Sequence, residues 1–142
     1  MKIPRLFVFT FIVFVLIFAV GKPASADTTH DGDIVLTGDE VLVIENTTYT
    51  QKGNIFIRDN AQLIIQNATL ILDVSFHEEF IMSIGGGTLE VINSTINTST
   101  GDGIFTERIV LINFFGKSNL IFNNSNLSSG AVYIQFMGGV SR

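Results

Sequence analysis

The sequence predicts an all-β solenoid of about four coils that follows an N-terminal export segment. Three observations predict this fold class: a ten-residue phrase recurs, apolar residues alternate inside each copy, and an asparagine holds the same place in every copy. The copies are EVLVIENTTY (40–49), AQLIIQNATL (61–70), GTLEVINSTI (87–96) and SNLIFNNSNL (118–127). Internal repeats of about 20–50 residues are typical of solenoids, propellers and related arrays.

The first 26 residues have the pattern of a signal peptide. Lys2 and Arg5 precede the apolar run from Leu6 to Val20, and Ala24-Ser25-Ala26 has the small–x–small form of a cleavage site. The run is short for a membrane span. We expect cleavage after Ala26; the alternative is an uncleaved N-terminal anchor, which would be the chain's one contact with a membrane. Both readings place residues 27–142 outside the cytoplasm, secreted or at the cell surface.

Composition narrows the partners of the remaining domain, residues 27–142. This part has 5 basic and 13 acidic residues, a formal charge of −8, and the whole chain has no cysteine. An acidic surface argues against nucleic acid and anionic lipid. It leaves carbohydrate or cell-envelope components as partners, with calcium the one cofactor left open, because a cation would have to bridge the protein to an anionic polysaccharide. Without disulfides, stability must come from packing.

Three short strands are predicted in each coil. The first precedes the repeated phrase, the second lies inside it, and the third follows the asparagine. The first strands are predicted at Ile34–Leu36, Ile55–Ile57, Ile81–Ser83 and Ile109–Ile112. On the second strands, period-two alternation directs Leu42/Ile44, Leu63/Ile65, Leu89/Val91 and Leu120/Phe122 inward. On the third strands, Tyr49, Leu70, Ile96 and Leu127 recur at the same place. Strands this short bury their apolar residues only when successive coils stack.

The recurring asparagines are expected to build the corner between the second and third strands. Asn46, Asn67, Asn93 and Asn124 are separated by 21, 26 and 31 residues, so added residues must lie in loops. Asparagine tolerates the left-handed backbone region that a tight corner needs. Amides stacked at the strand spacing can also hydrogen-bond to one another. We therefore predict that these four residues form a structural asparagine ladder.

This pattern resembles the right-handed parallel β-helix of the pectin-lyase-like proteins. The resemblance rests on NAQLIIQNATLIL, GGTLEVINSTI and KSNLIFNNSNL, and it extends over about residues 34–136. It implies a fold and not a site, because the repeat encodes coil geometry. Polysaccharide lyases and glycoside hydrolases share this fold. The short motifs that such a family's hydrolases use, Asn-x-Asp, Asp-Asp, Gly-His-Gly and Arg-x-Lys, do not occur in the sequence, and no catalytic residue is predicted.

The chain's end predicts an unfinished coil. Ala131–Phe136 has the pattern of a first strand, and no second strand follows it. We expect the β-helix domain to be incomplete at its C-terminus and to self-associate through the uncapped coil, since an open coil presents strand edges and core side chains.

Other motifs give weaker hypotheses. His30 and His77 lie in acidic segments that read as solvated loops, Gly85-Gly86-Gly87 reads as a tight corner, and no metal or cofactor ligands are predicted. Six Asn-x-Ser/Thr motifs occur, of which Asn97, expected at the start of a loop, is the best glycosylation candidate. Outward apolar side chains are predicted at Val43, Ile64 and Ile121 on second strands, beside Glu90, and at Phe56 and Met82 on first strands.

The predicted function is structural, adhesive or carbohydrate-binding, without an evident catalytic site. The alternative is that the chain is the N-terminal part or a remnant of a polysaccharide-active lyase or glycoside hydrolase. Whether the protein is an enzyme stays open, with the non-catalytic reading preferred.

Overall fold

The described residues form fourteen short strands in three parallel sheets, two of five strands and one of four, and neighbouring strands in a sheet come from successive coils. The computed structural model describes residues 26–73, 79–99, 109–128 and 131–137. The predicted signal segment, residues 1–26, lies outside the described residues except for Ala26. Within the described ranges there is no helix, and so none with the length and hydrophobicity to cross a bilayer. The predicted all-β, stacked architecture is thus confirmed as a parallel β-solenoid.

Each coil contributes a first, a second and a third strand. The first strands are β2 (Ile34–Leu36), β5 (Ile55–Arg58), β8 (Glu79–Gly85), β11 (Ile109–Phe115) and β14 (Ala131–Met137). The second strands are β3 (Val41–Glu45), β6 (Gln62–Gln66), β9 (Thr88–Ile92) and β12 (Asn119–Asn123). The third strands are β1 (Thr28–His30), β4 (Thr48–Gln51), β7 (Thr69–Asp73), β10 (Thr95–Ser99) and β13 (Asn126–Ser128). In each sheet, hydrogen-bonded neighbours come from successive coils.

The strand register places like residues over one another. On the second strands, Leu42, Leu63, Leu89 and Leu120 form one column, and Ile44, Ile65, Val91 and Phe122 form another. On the third strands, Tyr49, Leu70, Ile96 and Leu127 stack in the same way. These are the columns that the sequence predicts. Leu63 and Leu70 are fully buried, as a core built only by stacking requires.

The first strands correct one prediction. Ile55 pairs with Met82, not with Ile81, and Met82 is fully buried. Met82 is therefore an inward core residue, and its predicted outward orientation was wrong. Phe56 does point outward, because it lies half-buried between the buried Ile55 and Ile57.

The first-strand sheet is also more extensive than predicted. Both β8 and β11 are seven residues long, and β14 pairs with β11 along its whole length. Phe136 of β14 stacks on Phe114 with ring centroids 5.0 Å apart. At the other end of the solenoid, residues 28–30 pair with β4 and so form the third strand of a preceding level.

Residues with positive φ make the corners. Asn46, Asn67, Asn93 and Asn124 have φ values of 52°, 49°, 47° and 46°, in the left-handed region. Gly86 has a φ of 91°, and a Cβ built on Gly87 would lie 2.6 Å from the carbonyl oxygen of Ala61. The glycine triplet is thus a tight corner between β8 and β9, because a side chain at its last residue would collide with the preceding coil.

Candidate ligand-binding face

The outward side of the first-strand sheet brings together the described groups that are best suited to a ligand. Alternation directs every second residue of a first strand outward, and the register stacks one such residue from each strand in a column: Val35, Phe56, Ser83, Asn113 and Gln135. Beside it runs a shorter column of Ile81, Leu111 and Tyr133. We call these two columns the first-strand face. It combines aromatic rings with uncharged amide and hydroxyl groups.

Asn113 is the unusual member of this face. Its neighbours Ile112 and Phe114 point into the core, so the Asn113 side chain lies on the outward side, yet only 7% of it is exposed. Its carbonyl oxygen Oδ1 has no hydrogen-bond partner in the described part of the chain. A buried acceptor left unpaired costs about 1–3 kcal/mol. Because the oxygen itself is enclosed, a ligand hydroxyl can pair with it only where the groups that cover Asn113 move aside.

Aromatic side chains lie on both sides of Asn113 along the solenoid axis. Tyr133, on the next coil, is 58% exposed. Two coils earlier, Phe56 is half-buried, and the guanidinium carbon of Arg58 lies 5.8 Å from its ring centroid. Exposed rings beside hydrogen-bonding groups are a general arrangement for binding a ligand that is apolar on one side and hydroxylated on the other.

The histidine and aspartates near the N-terminus have structural partners. His30 lies on β1 rather than in a loop, and its Nδ1 is 3.1 Å from Oε1 of Gln51, a fully buried side chain. The Gln51 amide donates to the carbonyl oxygens of Gly32 and Gly53, at 2.7 and 2.8 Å. The buried Gln51 side chain therefore links β1 to the turns at Gly32 and Gly53.

Asp31 and Asp33, which flank Gly32 in the acidic segment HDGD (30–33), have partners at the same turns. Asp31 forms an ion pair with Lys52 at 2.9 Å, and this contact raises the pKa of the Lys52 ammonium group. Asp33 accepts a hydrogen bond from the backbone N–H of Asn54 at 2.8 Å. In the described ranges no three His, Cys, Asp or Glu side chains converge as metal ligands. His77 lies outside the described residues.

The corner asparagines show one amide-to-amide contact. Nδ2 of Asn124 donates to Oδ1 of Asn93 at 2.8 Å, the one such bond among the four described side chains. All four side chains are exposed. Backbone bonds also link the coils here, such as the N–H of Asn67 to the carbonyl of Ile92 at 3.0 Å. A ladder that runs through all four amides stays a prediction.

Asn97, the glycosylation candidate, lies inside a strand. It is the third residue of β10, pairs with Ile71 and Ser128, and is half-buried. Its Oδ1 accepts a hydrogen bond from the N–H of Thr98 at 2.9 Å. The expected loop position is wrong, because β10 continues to Ser99. Its modification stays a prediction.

Sequence reasoning missed Asn113, Gln135 and Tyr133 as a group. The signal that could have found them was the alternation in VLINF (110–114), where a single asparagine stands between two apolar inward positions. A polar residue at an outward position is ordinary in a strand, so the alternation alone does not indicate a site. The burial of Asn113 and its vertical alignment with Ser83 and Gln135 were needed.

Comparison of the chain with protein-family models, with curated proteins and with solved structures found no significant match in any of the three. A function for this chain is therefore inferred from the geometry and chemistry of its described residues.

Proposed function

We propose that this protein is an exported β-solenoid of the right-handed, pectin-lyase-like kind that serves a structural or adhesive role by binding carbohydrate on its first-strand face. One observation carries the proposal: the nearly buried Asn113 holds an unpaired acceptor on a face with the exposed Tyr133 ring. Sugars present C–H faces that pack on rings and hydroxyls that donate hydrogen bonds. The N-terminal signal pattern supports export.

A neutral polysaccharide suits the face better than an anionic one. The five residues of the Asn113 column carry no charge, and the domain has a formal charge of −8 after removal of residues 1–26, with 5 basic and 13 acidic residues. An anionic polymer would be repelled unless a cation such as calcium lay between them. A neutral glycan needs no such bridge.

The second candidate, part or remnant of a polysaccharide-active enzyme, is favoured by one feature. The guanidinium of Arg58 lies on this face beside Phe56 and could orient a substrate. General acid–base chemistry needs titratable groups that converge on the substrate, and the Asn113 column supplies none. A binding role therefore fits the face better.

The test uses Asn113→Leu and Tyr133→Ala in a depletion assay with insoluble cellulose and chitin, and with polygalacturonate in the presence and absence of calcium. We expect the parent protein to bind a neutral polymer and each variant to bind at least about tenfold more weakly, the equivalent of losing roughly 1.4 kcal/mol. Asn113→Leu should fold at least as stably as the parent, because it removes an unpaired buried acceptor. Ile121→Ser, on the outward side of the second-strand sheet, is the matched control and should bind normally.

Three results would count against a binding role on this face. The first is the absence of binding to every polymer, and the second is unchanged binding by both variants. The third is release of reducing ends or unsaturated products from a polymer, which would favour the enzyme alternative.

A further inference from the structure

The two ends of the described solenoid differ in what they expose. At the C-terminal end, three inward side chains lose their cover: Phe122, Ile134 and Phe136 are 43%, 44% and 67% exposed. Their register partners one coil earlier are all buried, and the most exposed of these partners, Phe114, is 4% exposed. A cavity of about 200 Å³, lined entirely by apolar side chains, opens beside Ile134. Within the described ranges, the core is uncovered at this end.

The N-terminal end is acidic, and its inward isoleucines are covered. Ile34 and Ile44 are already covered, at 7% and 2% exposure, although they belong to the first full coil. Residues 31–45 include five carboxylates: Asp31, Asp33, Asp39, Glu40 and Glu45. The C-terminal ranges 109–128 and 131–137 contain no acidic residue and one basic residue, Lys117. Two N-terminal ends would repel each other, whereas an N-terminal and a C-terminal end would not.

The strand levels of the two ends are complementary. In the described ranges, β14 extends the first-strand sheet one level beyond β12 and β13. At the opposite end, β1 extends the third-strand sheet one level before β2 and β3. A second copy in the same orientation would therefore pair its β2 with β14 and its β1 with β13, all in parallel. The second-strand sheet alone would lack a strand, between β12 and β3 of the added copy.

We propose that copies of this chain associate head to tail, with the C-terminal end of one solenoid docked on the N-terminal end of the next. The register then aligns Ile134 with Ile34 of the added copy and Phe136 with Leu36. Because Ile34 is already covered, the burial gained in the contact falls on Ile134, Phe136 and the half-buried Leu36. Such a contact uses different surfaces on the two partners, so it does not close on itself and builds a row of copies. This inference is independent of the proposed carbohydrate binding.

Two single-end variants test the direction of docking. Ile134→Asp places a carboxylate in the open apolar end. Val35→Pro blocks strand pairing at the N-terminal edge of the first-strand sheet. The Ile34 N–H donates to the carbonyl oxygen of Asn54, on the next coil, at 2.9 Å. Successive N–H groups of a strand point to opposite sides, so the Val35 N–H points to the open edge. Val35 is 51% exposed, and proline is tolerated on edge strands. Circular dichroism and thermal melting would first show that both variants fold.

Sedimentation velocity of the exported protein then gives the readout. We expect the parent to form species larger than a dimer as its concentration rises and each variant alone to stay monomeric. An equimolar mixture of the two variants should form dimers and nothing larger, because the dimer uses the one intact end of each variant and only blocked ends remain. Tyr133→Ser, an uncharged change at the outward neighbour of Ile134, should associate as the parent does.

Several outcomes would overturn the inference. Dimers of Val35→Pro alone would show that two C-terminal ends meet, and a mixture that stays monomeric would show that neither end accepts the other. A parent protein that is monomeric at every concentration would exclude the row of copies. A natural polypeptide whose mass exceeds that of this chain, with the excess covering the C-terminal end, would show that the chain itself supplies the cover.

Discussion

Replacing Leu63 by aspartate is expected to abolish folding. Leu63 is fully buried in the column between Leu42 and Leu89. Loss of the leucine removes about 1.5–3 kcal/mol of burial. An unpaired buried carboxylate adds a penalty of several kcal/mol more. Together these approach or exceed the total stability of about 5–15 kcal/mol that is usual for a domain.

Far-ultraviolet circular dichroism and urea unfolding measure this effect, and the neighbouring residue supplies the control. Ile64 points outward and is half-buried, so Ile64→Asp should retain the strand spectrum and lose at most about 1 kcal/mol, from the like charge of Glu90 on the next coil. Glu90→Lys should be nearly silent. If Leu63→Asp folds while Ile64→Asp or Glu90→Lys does not, the inward and outward sides of the second strands are inverted.

Replacing Asn67 by valine is expected to lower the free energy of unfolding by about 1–2 kcal/mol. This is the cost of holding a residue with a Cβ in the left-handed region, and the cost is highest for β-branched residues. Asn67 has a φ of 49° and an exposed side chain, so lost packing contributes little. The effect therefore reports the backbone conformation of the corner. Urea unfolding of the variant and the parent under the same conditions gives the difference.

Glycine at the same position separates the two roles given to the corner asparagines. Asn67→Gly keeps the left-handed conformation without strain, so it should stay within about 1 kcal/mol of the parent. If the amide side chain is what matters, Asn67→Gly will be as damaging as Asn67→Val. Asn124→Gly should cost somewhat more than Asn67→Gly, because it also removes the 2.8 Å bond to Asn93.

The second and third strands were predictable because every copy has an asparagine at the same position, which aligns the copies with one another. The asparagine fixes the phase of the alternation, so Leu63 and Leu89 fall on one column without knowledge of the loops. The third-strand residues Leu70 and Ile96 follow at a fixed distance from it. Sequence reasoning succeeds here because the corner conformation and the burial pattern require the same register.

The first strands have no recurring residue that aligns them, and the prediction of their inward residues was less accurate. In FIMSI (80–84), alternation allows two inward sets: Ile81 with Ser83, or Phe80 with Met82 and Ile84. Both sets include apolar residues. The structure selects Phe80, Met82 and Ile84, which are at most 2% exposed. The second choice buries three apolar side chains, whereas the first would bury Ser83. Alternation counted over a longer window would have favoured the set that contains Met82.

The candidate face depends on the same first strands, which explains why it was not predicted. Asn113, Ser83 and Gln135 are far apart in sequence and meet only when the register of β8, β11 and β14 is known. The unpaired state of the Asn113 acceptor is a property of packing. The two proposals use different sides of β14: Tyr133 faces outward on the first-strand face, and Ile134 faces inward at the uncovered end of the core.

The most direct test of the stacked repeats is a disulfide between register partners. The chain has no cysteine, so Ile64→Cys/Glu90→Cys introduces a single pair. Residues 64 and 90 are Cα partners on β6 and β9, about 4.8 Å apart by strand spacing, within disulfide range. In Ile64→Cys/Ile92→Cys, the second cysteine is two residues further along, at roughly 8 Å, too far to bond.

Oxidation at low protein concentration, followed by mass spectrometry of the linked peptides, gives the result. Stacked repeats predict rapid formation of the 64–90 disulfide in the folded protein, with two free thiols in the 64–92 variant. Free thiols in the 64–90 variant, or a disulfide that forms only between 64 and 92, would contradict the register on which the solenoid, the first-strand face and the head-to-tail contact all depend.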